Sequence, residues 1–452
     1  MAKKKQIELT IEEKLQNALV PKEEQPYKIP SNWCWSYWKY CGKFIAGNGF
    51  KNIYQGFTQY DIPYYKVGSL KFCDEGNYLI DETNTINEEI RTKLKAVKIP
   101  VNSIIFAKIG EAIKLNRRCL NKIECCIDNN LMAFISEKYF YKYIFYWTKS
   151  LNFYELTNAT TVPALRKTDL ENIPIPLPPL NEQQRIVNRI ESLFAKLDRA
   201  KELIENTLAQ FEQNKMAILH KAFIGELTAK WRKENNIDLS SWEKIKLGEV
   251  LLPMQTKKPT GQFFRYIDID AIDNKRQIVK APKLILTEKA PSRASRGVET
   301  GNILFSMVRP YLKNIAQIDS DLSGCIASTG FYVCRCKPEL NSRFLYYLFI
   351  FDKTIDYLMQ FIKGDNSPSI RKDDLLNMKI DLPTIEEQQE IVNILDKLLA
   401  KYNKIKNLEQ QLEKIELLKK AILAKVFRGE LGTNNPDEES AENLLKEILA
   451  EK

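Results

Sequence analysis

The sequence predicts an α+β protein: two mixed α/β globules separated by two long antiparallel helices forming a coiled coil, arranged as a pseudo-two-fold internal repeat. Three observations carry this. First, residues 163–188 (PALRKTDLENIPIPLPPLNEQQRIVN) and 368–393 (PSIRKDDLLNMKIDLPTIEEQQEIVN) agree at 15 of 26 positions at an offset of 205, where average composition would give roughly one or two. A period this long is no solenoid, so one architectural unit stands twice in tandem. Second, each copy runs into a long stripe of apolar residues at helical spacing. Third, each stripe is preceded by short strand-like runs and a strongly aromatic helical segment.

The elements follow in order. Residues 1–30 read as an N-terminal helical flank and 31–162 as the first globule, opened by Trp33 and closed by the aromatic run KYFYKYIFYW (138–147). The first helical spacer region is 163–235. The second globule, 236–367, is opened by Trp242 and closed by SRFLYYLFIF (342–351); the second spacer region is 368–433, and 434–452 form a helical tail. Between the globules NSIIFAKIG (102–110) resembles GNILFSMVR (301–309), and IPYYKVGSL (62–70) sits where RYIDIDAID (265–273) sits.

The first helix is expected to begin with a capping box of Asn181 and Gln184, and the second with Thr384 and Glu387. Ile186, Ile190, Leu193, Leu197, Ala200, Ile204, Phe211 and Ile218 form the first stripe. Its counterpart is Ile391, Leu395, Leu398, Tyr402, Ile405, Leu408, Leu412, Ile415 and Ile422. Gly225 and Gly429, in KAFIGEL and KVFRGEL, are read as left-handed helix stops. Helices of this length with heptad-like spacing call for a coiled-coil partner, and the nearest is the other copy. The short amphipathic segments 11–30 and 436–452 are expected to fill together the role that 228–241 plays between the halves, bringing the termini close.

Composition narrows the function. The formal net charge is +10, with surpluses of 5 in residues 31–157 (17 Lys/Arg, 12 Asp/Glu) and 6 in 240–365 (19 against 13). The positive excess thus lies in two separated blocks, which points to a polyanionic partner. No apolar run is long enough for a transmembrane helix, no secretory signal is read at the N-terminus, and nine cysteines without metal-ligand spacing predict a reduced, cytoplasmic protein. His220 is the only histidine, which removes histidine-based triads and general bases; it is read as a helix-end residue. No P-loop, no H-E-x-x-H, no amino-methyltransferase N/D-P-P-Y/F and no nuclease carboxylate cluster is present, and GNGF (47–50) reads as a turn. No catalytic residue, cofactor or metal is expected; the chain reads as a recogniser.

The segment LENIPIPLPPLNEQQRIV (170–187), its second copy at 375–392, the helix-ending GEL and the flanks EEKLQNALVP, PYKIPSNW and PDEESAENLLKEIL closely resemble specificity subunits of type I restriction–modification systems. The resemblance covers essentially the whole chain. It implies two target recognition domains, each reading one half of a split double-stranded DNA sequence. It further implies helices that set their separation and hold two methyltransferase (modification) subunits, and restriction subunits that complete an ATP-dependent translocase and nuclease. Two departures stand out. CCIDNNLMAFI (125–135) differs from CIASTGFYVC (325–334), which is closer to the family's small-polar pattern, and Pro-Pro-Leu becomes Pro383–Thr384–Ile385.

Reading bases takes Arg or Lys on guanine and Asn or Gln on adenine, with further cations on phosphates. In the second globule Arg309, Tyr311, Lys313 and Asn314 come first, with Arg293 and Arg296 on a nearby loop. In the first globule Lys108, Lys114, Asn116, Arg117 and Arg118 hold the matching position. Gln255, Thr256, Lys257 and Lys258, and opposite them Asn48 and Lys51, come third. Each is weighed against an ordinary solvated surface charge. Arg166 and Arg371 are read as structural partners of Asp169 and Asp374, and Arg185, Arg189 and Lys196 as outward residues, solvated or facing a partner subunit. Two other classes stay open: a protein-binding scaffold for acidic partners, and, disfavoured by the missing motif, a fused methyltransferase.

Overall fold

The computed structural model describes residues 9–157, 162–364, 367–400 and 406–451. Contacts divide the chain into two units, 1–202 with 411–452, and 203–410. The same mixed α+β architecture appears in each.

In the first unit a four-stranded antiparallel sheet runs in the order Gly42–Ala46, Leu131–Ser136, Ile104–Ala107, Arg118–Leu120. A smaller sheet holds Thr85–Ile86, Ile62–Tyr65 and Cys126–Ile127, the last two parallel. In the second unit the four-stranded sheet is Leu251–Leu252, Phe331–Cys336, Ile303–Ser306, Ile315–Gln317. Its second sheet is Lys283–Leu286, Phe263–Ile267, Ile326–Ser328, Ala294–Gly297, again with one parallel pair, here the central one. Phe106 faces Arg118 across the first hairpin as Phe305 faces Ile315 across the second. The duplication thus extends through the globules, where the sequence likeness is loose. The reason is burial: the alternating residues of Ile104–Ala107 and Ile303–Ser306 are all buried, so the pattern of apolar volume suffices to specify them. Trp38, fully buried, gathers Phe44, Phe134 and Trp147 at ring distances of 4.7–5.0 Å. The aromatic segments form the helices Tyr141–Ser150 and Ser342–Ile350.

The Pro-containing stretches are strands: Pro174–Leu177 pairs antiparallel with Cys34–Tyr37, and Lys379–Leu382 with Glu243–Lys246. From the first, the helix Leu180–Phe223 runs 44 residues, roughly 66 Å at 1.5 Å per residue. Its counterpart is described as Ile385–Ala400 and Lys406–Val426; Tyr402 and Ile405 of the expected stripe lie outside the described residues. In the first unit the helices pair antiparallel, with Lys419 on Asp198 and Lys201 3.6 Å from Glu416. Burial along the stripe is uneven. Ile186 and Ile190 are fully buried against the first globule, as Leu219 and Ala222 are in the second unit. Leu193, Leu197, Ala200, Ile204 and Phe211 are half-buried.

The first expected capping box does not form. The helix starts at Leu180, and Gln184 bonds Asn188 instead. In the second copy Thr384 caps the Glu387 N–H at 3.4 Å, but the Glu387 carboxylate turns inward. Gly225 (φ 80°) and Gly429 (φ 73°) end their helices in the left-handed region. A Cβ on Gly429 would stand 2.4 Å from Pro30 Cγ. Gly429→Ala is therefore expected to destabilise the protein by about 2–4 kcal/mol, strain plus clash. Gly432→Ala, at φ 68° with open space around its Cβ, should cost about 1 kcal/mol. Urea midpoints of the two variants check the difference.

The terminal segments meet within the first unit. The helix Ile11–Ala18 packs on Ala441–Ala450, Lys14 Nζ donates to the Leu449 carbonyl at 3.4 Å, and Ala441 N–H donates to the Asn32 carbonyl. No helix among the described residues is long and apolar enough to cross a membrane.

Candidate nucleic-acid interface

Each globule is fastened to its long helix by the Glu-Gln-Gln of the repeat, a role that the sequence reading missed. Glu182 and Glu387 are both 0% exposed. Trp33 Nε1 donates to Glu182 at 2.8 Å, and Trp242 Nε1 to Glu387 at 2.9 Å. Gln183 accepts the Phe140 N–H and donates to the Pro178 carbonyl; Gln388 accepts the Asn341 N–H and donates to the Pro383 carbonyl. The remaining lone pairs are met by Thr433 and Asn434 on Glu182, and by Thr228 and Arg232 on Glu387. The available signal was that Glu-Gln-Gln stays identical in both copies while its flanks drift.

The candidate basic residues lie on other segments of each globule. In the second unit three segments distant in sequence come together. Thr256 bridges Arg296, and Lys257 N–H donates to the Ser295 carbonyl, laying 255–258 along the edge strand Ala294–Gly297. Thr329 N–H donates to the Arg293 carbonyl, and Met307 N–H to that of Gly330, so the Arg293 loop adjoins the turn carrying Arg309. Gln255, Thr256, Lys257, Lys258, Arg293, Arg309 and Tyr311 are exposed and Arg296 half-buried; Arg296 Nε is enclosed without a hydrogen-bond partner among the described residues.

Two residues of that set are occupied internally. Lys313 Nζ donates to the Ile350 carbonyl and pairs with Asp352, which ties it to the end of the aromatic helix. Asn314 is buried beside the following strand, its carbonyl accepting the Ser306 N–H. Neither side chain is presented as an exposed reader.

The first unit shows the same division. Asn116, left-handed at φ 52°, donates to the Leu151 carbonyl at 3.0 Å and accepts the Phe153 N–H. Arg118 is 3% exposed, donates to the Asn116 and Leu151 carbonyls and stacks 3.7 Å from the centre of Phe153; burial pushes its pKa down. Both side chains are engaged inside the globule: they hold 151–153, and Arg118, whose Nε is enclosed without a partner among the described residues, is buried there rather than exposed. Asn48 accepts the Val97 N–H through its side chain and the Tyr64 hydroxyl through its carbonyl, also a local structural use. Lys108 is half-buried at a strand end. Lys51, Lys114 and Arg117 are exposed. Lys114 lies 2.7 Å from Glu111 and over the Tyr154 ring. Arg117 lines a groove of about 1080 Å³ that also carries Glu191, Asp198 and Glu202, so its charge has acidic company.

Two side chains outside the basic set also find local roles. Arg371 N–H is capped by Asp374 at 2.7 Å, a backbone bond where a side-chain pair was expected. Arg185, expected to face outward, makes a bidentate pair with Glu438 at 2.7 Å and donates to the Thr433 carbonyl.

Comparison with known proteins gives this arrangement a context. Residues 52–210 and 240–417 match the family described as Type I restriction modification DNA specificity domain. The chain is 28% identical over 344 residues to the type I restriction enzyme EcoDI specificity subunit of Escherichia coli, covering 68% of this chain and 76% of that one. It is 25% identical over 297 residues to the MjaVIII specificity subunit of Methanocaldococcus jannaschii, covering 62% and 67%. Among solved structures, a chain from work on complex assembly and conformational transition of the type I R-M system superposes with a TM-score of 0.66 at 20% identity, over 90% of this chain and all of that one. The HsdS subunit from Thermoanaerobacter tengcongensis gives 0.51 at 21% identity, with the same coverage. At these identities the structural likeness speaks for the fold, while the twofold family match spans most of the chain: it belongs to the type I restriction–modification specificity subunits, the non-catalytic recognition component of those systems.

Proposed function

We propose that this subunit reads a bipartite DNA target, the globule of 31–162 taking one half-site and that of 236–367 the other. The long helices set the gap and carry two methyltransferase subunits, to which ATP-dependent restriction subunits are added. The observation that supports this best is one architecture built twice, with the same four-stranded antiparallel sheet and a second sheet holding a parallel pair in each copy, and exposed cations on both. Gln255, Lys257, Lys258, Arg293, Arg296, Arg309 and Tyr311 are the second reader's contact set; Lys51, Lys108, Lys114 and Arg117 are the first's. Most of these would lie on phosphates and fix register, with a minority on base edges.

The test is methylome sequencing of cells with and without the gene, followed by mobility shifts of the subunit with its methyltransferase partner. A methylated split motif is expected, bound in preference to random duplex, with affinity falling steeply as salt rises. Exchange of residues 31–157 for another globule should change one half of the motif and leave the other intact. A complex without sequence preference, or an exchange that leaves the motif unchanged, defeats the reading.

A further inference from the structure

Each globule carries, after the central strand Ile104–Ala107 or Ile303–Ser306, a short turn that holds apolar side chains out in water. The turns are the 3₁₀ segments Glu111–Leu115 and Pro310–Leu312. Both are bounded by residues at positive φ: Gly110 (83°) and Asn116 (52°) in the first, Arg309 (48°) and Lys313 (50°) in the second. Three of these four are not glycine, so the backbone is held in a sparsely populated region that the surroundings must enforce.

The pins that enforce it are duplicated. The leading residue donates its N–H to a proline carbonyl, Gly110 to Pro163 at 2.8 Å and Arg309 to Pro368 at 2.7 Å. The trailing side chain donates to the carbonyl at the end of the aromatic helix, Asn116 to Leu151 at 3.0 Å and Lys313 to Ile350 at 3.2 Å. Different residue types thus make the same two anchors. What the anchored turn displays is also shared: Leu115 is 58% exposed, and Leu312 38% beside Tyr311 at 45%.

A lone exposed leucine is ordinary, but a turn held at positive φ by the same two anchors in both globules, with a leucine outward each time, points to a use for that leucine at a partner's apolar surface. Lys114, which pairs with Glu111, and Arg117, which shares its groove with Glu191 and Asp198, flank the first tip, and exposed Arg309 the second; a partner that combines anionic and apolar surface suits both tips. Duplex DNA does so at its base steps, where inserted apolar side chains unstack and kink the helix. We propose that Leu115 and Leu312 are wedges, each entering one base step of its half-site, with Tyr311 supporting the second. This rests on the DNA reading above and adds deformability to it: steps that unstack easily are favoured at positions no hydrogen bond reads.

The test uses the full chain with its methyltransferase subunits and a target duplex carrying 2-aminopurine at successive positions. Binding should raise the fluorescence at one step in each half-site. Leu115→Ala should abolish the first signal and Leu312→Ala the second. Each should weaken target binding roughly tenfold, as loss of a leucine contact does, with the salt slope unchanged; Leu115→Met and Leu312→Met should retain the signals. A complex that binds its target tightly with no fluorescence rise at any step overturns the wedge, as do alanine variants that fluoresce like the parent. Alanine variants that shed the methyltransferase subunits overturn it too, and assign the tips to a protein contact. A complex that cannot tell target from random duplex defeats the DNA reading itself, and the wedge with it.

Discussion

Arg232→Ala should lower the unfolding free energy by about 3–5 kcal/mol, the cost of leaving a buried carboxylate without its countercharge. Glu387 is fully buried, and Arg232 is the sole cation among its hydrogen-bonding partners in the described residues; Thr228 Oγ1 at 2.6 Å and Trp242 Nε1 at 2.9 Å are neutral donors. The same guanidinium donates to the Gly225 carbonyl, so its loss also strands a buried acceptor at the helix end. The double variant Arg232→Met with Glu387→Gln should recover most of the loss, because removing both charges removes the desolvation penalty along with the attraction. Urea unfolding followed by circular dichroism measures both. A single-variant loss below about 1 kcal/mol would show the pair to be as weak as a surface one.

Removing one heptad from each long helix should abolish methylation of the native target, to at least a thousandfold below the parent, the usual margin between specific and non-specific sites. Seven residues shorten a helix by about 10.5 Å yet turn its face by only about 20°, so each globule keeps its seat. On DNA a displacement of that size corresponds to about three base pairs at 3.4 Å each. The two readers would then reach for half-sites that are wrong in distance and, since three base pairs also rotate the duplex by roughly 100°, wrong in phase. A series of duplexes with spacers shortened one base pair at a time should restore methylation at a gap one to three pairs shorter, where rise and twist are jointly least violated. Methylation that keeps the native spacing would rule out the helices as the ruler.

Much of the architecture was legible in the residues. The tandem repeat, the order of globules and helices, and the stops at Gly225 and Gly429 are all local properties, written in periodicity and in backbone freedom that glycine alone supplies cheaply. The equivalence of 62–70 with 265–273 was visible as strand alternation, and the structure gives it meaning: Ile62–Tyr65 and Phe263–Ile267 are both interior strands of the second sheet of their unit, each in its parallel pair. The fate of individual polar side chains was not legible. Arg117 and Arg118 are adjacent and chemically identical, yet one is exposed and the other sealed over Phe153, because Arg118 opens the buried strand Arg118–Leu120 and Arg117 stands just before it. Arg185 looked outward on its helix until the tail supplied Glu438 from 253 positions away.

By itself, then, the chain determined that one unit stands twice, that stiff helices follow each globule, and that cations concentrate in the globules: hydrophobic period and helix termination act between near neighbours. Tertiary structure alone decided which of those cations and amides are left exposed. A hydrogen-bonding group faces outward only when no buried carbonyl or carboxylate has claimed it, and the claimants at Leu151, Ile350 and Glu387 are brought in by folding from distant segments.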